Sequence, residues 1–359
     1  MLFFLSEQLV NQEYSTEKTE KINRAVEYVL KSVYESKHLV FADRATISLL
    51  KEKILNEDAK RILSFLDNNY SFLNYEQIKY FVNVIPDNSP MEVIIDGDKS
   101  ILNLSINYFQ TSDTTQETRI LCEDPVDSDF FKEICNYYIK QNRIGNISLK
   151  FESEHGGGNQ LSKRYTKHIK SKTKFCLAFC DTDKRYPNSP IGSTLKDLIS
   201  VDQENNYLCS YISLDAHEIE NLVPFNYLDE IKCSYNPHDG ITFIKNILTS
   251  DHAELLKYYD IKKGVLKKNL CTNLEYRSFT KTLLLYCRNN IDLDSMHTLE
   301  DSYQIIPNLG KIIPSFLEKT DLIDRIDPYL LQYQSQEWFK IGSNFLYWTC
   351  ARNSEAINF

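Results

Sequence analysis

The chain has no long hydrophobic run, no paired cysteine motif and no low-complexity tract, and each absence excludes a class of protein. No apolar stretch approaches the length of a membrane span. "MLFFLSEQLV" carries an apolar run too short for a signal peptide and lacks a basic leader. The nine cysteines are odd in number and without CxxC pairing, which favours reduced thiols in a cytoplasm over a disulfide framework or a zinc site. Cys176 and Cys180 are the closest pair and sit in an apolar segment, as small buried hydrophobes do. Ten prolines, no Gly/Ser linker and no solenoid repeat argue for folded domains. No GxxxxGK[ST] occurs, and "NLGKII" lacks both the first glycine and the hydroxyl residue, so the chain carries no ATPase of this type.

There is no excess of positive charge either. The net charge of -9 argues against a surface coated for nucleic acid while leaving room for a local basic groove. A length of 359 residues fits two or three domains with ample apolar residues for their cores.

Up to about residue 88 the chain reads mostly as helices. Ile22, Val26, Val29, Leu30 and Val33 follow the helical period, and "RATISLLKEKIL" and "YEQIKYFVNVI" repeat it. "MEVIIDGDKSILNLSINYF" reads as a β-hairpin across Asp-Gly-Asp, and the polar "QTSDTTQETR" as a linker. Beyond it, "RILCE", "ISLKFES", "KFCLAFCD" and "YLCSYIS" read as strands. Between them lie the helical "DSDFFKEICNYYIK" and "NQLSKRYTKHIKSK". That alternation predicts an α/β fold with a parallel sheet flanked by helices. The expected division is 1–117, helical with a hairpin; 118–230, the α/β unit; and 231–359, helical. In the last, Trp338, Ile341, Phe345 and Trp348 share a core-facing stripe.

Three of the four strands lead into carboxylates: Glu123 with Asp127; Asp181 with Asp183; and, after the fourth, Glu218 and Glu220. In open parallel sheets ligands bind at the carboxyl ends of the strands, so these six groups are expected to face one pocket. Singly, any of them is explained by a surface position or a helix cap. Together they would not all stay ionised without raised pKa values or hard divalent cations. Mg²⁺ suits a few carboxylates plus phosphate, and two such ions activate water and stabilise the leaving oxygen of a phosphodiester.

The ordered set "ILCEDPVDSDFF", "HGGGNQ", "AFCDTD" and "AHEIENLVP" resembles a Toprim domain. More narrowly, it resembles the Toprim nucleases of bacterial phage defence, the overcoming-lysogenization-defect (OLD)-like type. The resemblance covers roughly residues 118 to 230. It implies that Glu123 is a metal ligand or general base and that Asp181 and Asp183 hold one Mg²⁺ or Mn²⁺. Asp127, Glu218 and Glu220 would then complete the surroundings of a second ion. It further implies a nuclease acting on DNA or RNA beside a separate ATPase partner. The chain departs from the family where glycine usually follows the first glutamate: here Asp124 and Pro125 follow, and Asp129 competes with Asp127 as the helix-start ligand.

No acidic residue interrupts the segment between His155 and Cys180, where Lys163, Arg164, Lys167 and Lys170 offer a phosphate-binding strip or an ordinary solvated helix face. Lys262 and Lys263 in "DIKKGVLKK" are candidates for transition-state charge stabilisation, by analogy with the basic residue of related nucleases. "HGGG" reads as a tight strand-to-helix turn, and His217 as a structural histidine or a proton shuttle. An aspartate-nucleophile phosphatase built on the DTD ranks low, because Arg185 stands where Thr or Val is expected. A Toprim domain that binds nucleic acid or a partner without catalysis is the alternative.

Overall fold

A computed structural model describes the chain except residues 12, 55, 71–74, 203–205, 232–236, 271–272, 288–299, 320 and 354–359. Residues 1–117 differ from the helical expectation. Strand β1 (Leu2–Leu5) is followed by α1 (Thr16–Tyr34), β2 (Leu39–Phe41), α2 (Arg44–Lys53), α3 (Glu57–Asn68), β3 (Tyr80–Ile85), β4 (Glu92–Asp96) and β5 (Lys99–Ser105). They form a five-stranded sheet in the order β2-β1-β3-β5-β4, parallel except for β4. The apolar "LFFL" is thus a strand between two parallel neighbours. "YEQIKYFVNVI", read as helical, becomes a 3-10 turn at Tyr75–Gln77 followed by β3. Its Ile78, Phe81, Val82 and Ile85 fit the helical period, but pairing on both sides and the β-branched Val82 and Val84 decide for strand. The β4–β5 hairpin forms as expected, turning at Gly97 with φ 60°.

The second sheet contains β6 (Thr118–Cys122), β8 (Phe151–His155), β9 (Cys176–Cys180) and β10 (Cys209–Ser213), all parallel, in the order β10-β9-β6-β8. Helices α4 (Pro125–Gln141), α5 (Leu161–Ser171) and α6 (Ser193–Val201) connect them. The fold is therefore mixed α/β, with a parallel sheet flanked by helices. "ISLKFES" is two strands rather than one. Its first half, β7 (Ile147–Leu149), leaves the sheet to pair antiparallel with β13 (Cys350–Arg352), and the Lys150 N–H donates to Thr349 O at the break (2.8 Å).

The region from 231 is helix-rich, with α7 (Pro237–Leu248), α8 (Leu274–Leu284), α9 (Ile313–Leu317), α10 (Leu322–Arg325) and α11 (Gln332–Thr349) around a small ribbon of β11 (Val265–Leu266) and β12 (Gln304–Ile306). Helix α11 buries Trp338, Ile341, Phe345 and Trp348, as its stripe predicts. It crosses α4 so closely that a Cβ on Gly342 would meet Tyr138 Cβ at 2.5 Å. Trp348 stacks on Tyr80 (5.6 Å) and meets Phe175 edge-on, so both sheets and the last helix share one core. No helix among the described residues is long and apolar enough to cross a membrane.

Candidate functional site

Strands β6 and β9 are neighbours, so Glu123 and Asp181 leave the sheet about one strand spacing apart. Phe131 of α4 stacks on Phe179 of β9 at 4.3 Å, drawing the start of α4 over the same edge. There Asp124 is the N-cap: its Oδ1 accepts from the Val126 N–H (3.2 Å), and its own N–H donates to Asp127 Oδ2 (2.9 Å), with Pro125 in the first turn. This capping box satisfies two backbone donors at the helix start. It leaves Asp127 Oδ1 for the pocket, while Asp129 is exposed.

"HGGG" is stitched to this corner, with the Gly156 N–H donating to Cys122 O and the Gly157 N–H to Glu123 O (3.2 Å). A Cβ on Gly156 would lie 2.6 Å from Cys122 O, which explains a glycine there.

Across the pocket, Glu218 caps the 3-10 turn Ile219–Leu222, its N–H donating to Asn221 Oδ1 (2.9 Å). Buried Asn221 donates to Leu256 O (2.7 Å) and Tyr259 O (2.8 Å). Helix α11 holds the same turn from behind, through Tyr333 and Gln334 to Asn221 O and Trp338 to Leu222 O. Asn221 thereby ties Glu218 and Glu220 to the segment that carries Lys262.

Lys262 enters the acidic pocket. Its N–H donates to Glu218 Oε1 (2.9 Å), and its Nζ lies 3.5 Å from Glu218 Oε2 and 2.8 Å from Glu220 Oε2. At 2.8 Å the Lys262 ammonium is the direct partner of the buried Glu220 Oε2. Burial alone would lower the Lys262 pKa, but Glu218, Glu220 and Asp181 together raise it above its ordinary value.

The carboxylates respond in kind. Burial pushes Asp127 up to about 7, with Glu220 adding to the push. Glu218 also rises to about 7, through burial and then Glu220. Asp181 is pushed well above the usual range by burial, with Lys262 opposing and Glu123, Glu218 and Asp127 reinforcing. Glu123 is raised by burial and by Asp183, and Glu220 by burial against Lys262.

Asp183 sits at the rim. It is exposed, has φ 54°, and its N–H donates to His217 O (3.0 Å). A Cβ on Gly192 would fall 2.1 Å from Asp183 Oδ2, so glycine is required for the 186–192 loop to close against this carboxylate.

The six expected carboxylates thus lie at one edge with Lys262 among them, but among the described residues no three of them bring ligand atoms within 4.8 Å of one another. Lys263 does not join them: its side chain is exposed, and its N–H donates to Asp260 Oδ1 (2.7 Å). Lys163, Arg164, Lys167 and Lys170 are all exposed on α5, which buries Leu161 and Tyr165, and Arg164 lies 3.5 Å from Glu154.

Asp260 is the residue the sequence reading missed. Among the described residues, His217, Glu218 and Asp260 are the group whose ligand atoms all lie within 4.8 Å of one another. His217 Nδ1–H donates to Lys184 O (3.0 Å), turning Nε2 toward Asp260 Oδ2 at 3.6 Å. Burial opposes protonation of His217, but Asp260 and Glu218 outweigh it and raise its pKa. Only the position of Asp260, two residues before Lys262, hinted at this role.

Comparison with known proteins finds no family model that matches the chain, and no match among curated proteins or solved structures.

Proposed function

We propose that the chain is a divalent-metal-dependent nuclease of the Toprim type that cleaves phosphodiester bonds of DNA or RNA. In this reading it serves in phage defence, in the cytoplasm, beside a separate ATPase. The observation that carries the proposal is the gathering of Glu123, Asp127, Asp181, Asp183, Glu218 and Glu220 at the carboxyl edge of a parallel sheet, with Lys262 among them.

The donor set fits Mg²⁺ or Mn²⁺. It is all oxygen, and its six carboxyl groups exceed the charge of the one ammonium among them. Asp181 and Asp183 would hold one ion, and Asp127, Glu218 and Glu220 the surroundings of a second. Bound there, the ions supply Lewis-acid charge neutralisation at the scissile phosphate.

The chain's own groups do the rest. Glu123, with its carboxyl raised, takes the proton of the attacking water as oxygen bonds to phosphorus and the P–O bond to the leaving oxygen breaks. Lys262, held as ammonium by three carboxylates, stabilises the charge that builds on the phosphoryl oxygens. The exposed Lys163, Arg164, Lys167 and Lys170 neutralise flanking phosphates. The ATPase partner rests on the resemblance and on the missing P-loop. The cytoplasm is favoured by seven described cysteines that are all free thiols.

A second reading, a binding module without catalysis, draws on Lys262 already pairing with Glu218 and Glu220. The deciding experiment incubates the purified chain with Mg²⁺ or Mn²⁺ against plasmid, linear DNA and total RNA. Cleavage that disappears in Glu123→Ala and Asp181→Ala supports the nuclease. Retained cleavage in both variants overturns the site, and absent metal binding by calorimetry favours the binding module.

A further inference from the structure

The edge strand β4 lies at the far side of the N-terminal sheet from β2, and among the described residues nothing pairs with its outer side. All five of its residues are exposed, including Val93 (54%), Ile94 (39%) and Ile95 (71%). An exposed edge invites another strand; Glu92 and Asp96 charge the two ends of this short one and leave Val93, Ile94 and Ile95 as its apolar centre.

Beside it opens a cavity of about 810 Å³ between the two sheets, lined by Val93, Leu102, Tyr138, Tyr207, Phe339 and Trp348 among others. Phe339 is itself 60% exposed. The strand, cavity and phenylalanine form one surface, aromatic and apolar in part and polar at Lys79, Asp98 and Asn344, separate from the acidic pocket. Cys209, at the start of β10, lines the cavity, whereas the pocket lies at the strands' carboxyl ends.

The register fixes which groups are available. The two-residue turn joins Asp96 to its partner Lys99, so the alternation of an antiparallel ladder leaves the backbone N–H groups of Val93 and Ile95 facing outward. Their side chains share the cavity face, while Glu92, Ile94 and Asp96 share the other.

Charge then selects the occupant. If a second copy of β4 paired antiparallel about Ile94, Glu92 would fall opposite Asp96 at both ends, and like charges directly opposed are destabilising. A strand with basic residues at those two places and branched apolar residues between them would be complementary.

We propose that β4 is a docking edge that takes an extended segment of a partner protein, adding a strand through the backbone of Val93 and Ile95. The segment places apolar side chains over the Phe339 cavity and Lys or Arg opposite Glu92 and Asp96. This holds whether or not the acidic pocket cleaves nucleic acid.

The test uses the full chain and two fluorescent peptides, Thr-Lys-Val-Thr-Val-Lys-Thr and its counterpart with Glu for Lys, read by anisotropy without metal. The basic peptide binds saturably below millimolar concentration and the acidic one does not. Ile95→Pro, which removes an outward N–H, weakens binding by at least about tenfold. The surface variant E92K/D96K, which leaves the backbone intact, reverses the preference between peptides. Absence of saturable binding, or binding unchanged in both variants, overturns the proposal. So does a concentration-dependent dimer in sedimentation that Ile95→Pro abolishes, because a second copy would then be the occupant. Loss of nuclease activity with intact peptide binding, or the converse, separates the two readings.

Discussion

Lys262 Nζ stands 2.8 Å from Glu220 Oε2, which makes an ammonium from the C-terminal region the internal countercharge of an acidic pocket built on the sheet. Lys262→Met removes that charge while keeping much of the side chain's length. Cleavage should fall by about 100-fold or more, the scale of losing one electrostatic group at a reacting phosphate. Melting in chelator should fall too, because Glu218 and Glu220 would be buried together with no cation. Single-turnover cleavage and differential scanning fluorimetry check both.

Asp181→Asn should do the opposite to stability. Burial and three carboxylates disfavour the charged form of Asp181, so a neutral isostere relieves repulsion in the metal-free protein. The expected result is a melting temperature raised by ~2 °C or more in chelator, with no cleavage. A lowered melting temperature would mean that the carboxylate is structural.

Asp127 and Glu218 are both raised to about 7. Each therefore binds more protons folded than unfolded between its ordinary carboxylate pKa and about pH 7. The metal-free protein should lose stability as pH rises through that window. The raised His217 acts with the same sign, its contribution being lost as pH climbs past its folded pKa. Divalent cations compete with the same protons, so stabilisation by Mg²⁺ should be small at acid pH and grow toward pH 8. Melting curves with and without Mg²⁺ across that range test this; a pH-independent metal shift would contradict it.

Asn221→Ala cuts two donated bonds, to Leu256 O and Tyr259 O, and the cap on the Glu218 N–H. Buried carbonyls left without donors cost about 1–3 kcal/mol each. Denaturant unfolding should show that loss. Metal affinity should fall with it, since Glu218 and Glu220 would no longer be held against Lys262.

Gly192→Ala should impair the site without touching a carboxylate. The added methyl would occupy space held by Asp183 Oδ2, so the 186–192 loop or the Asp183 side chain must move. Cleavage should fall by more than stability does, and calorimetry should show weakened metal binding.

Much of the α/β unit was legible along the chain because its signals are local. Apolar runs such as "CLAFC" mark buried strands, and Leu161 with Tyr165 mark the inward face of α5. The strand ends at Glu123 and Asp181 could be read because parallel strands deliver their carboxyl ends to one edge. The sheet in residues 1–117 was not legible. Ile78, Phe81, Val82 and Ile85 satisfy the helical period, and only pairing with β5 and with β1, distant in sequence, makes Tyr80–Ile85 a strand.

What the sequence determines by itself is the chemistry on offer: six carboxylates in order, Lys262 nearby in "DIKKG", and no P-loop. What only the tertiary structure decides is their company. It picks Lys262 over Lys263 by turning one side chain inward and leaving the other in solvent. It also brings Asp260 to His217 across 43 residues, and it uses α11 to brace the turn that carries Glu220. The reason is physical: spacing along a chain orders groups within an element. Which groups share a desolvated pocket depends on packing between elements, and burial there sets their charge.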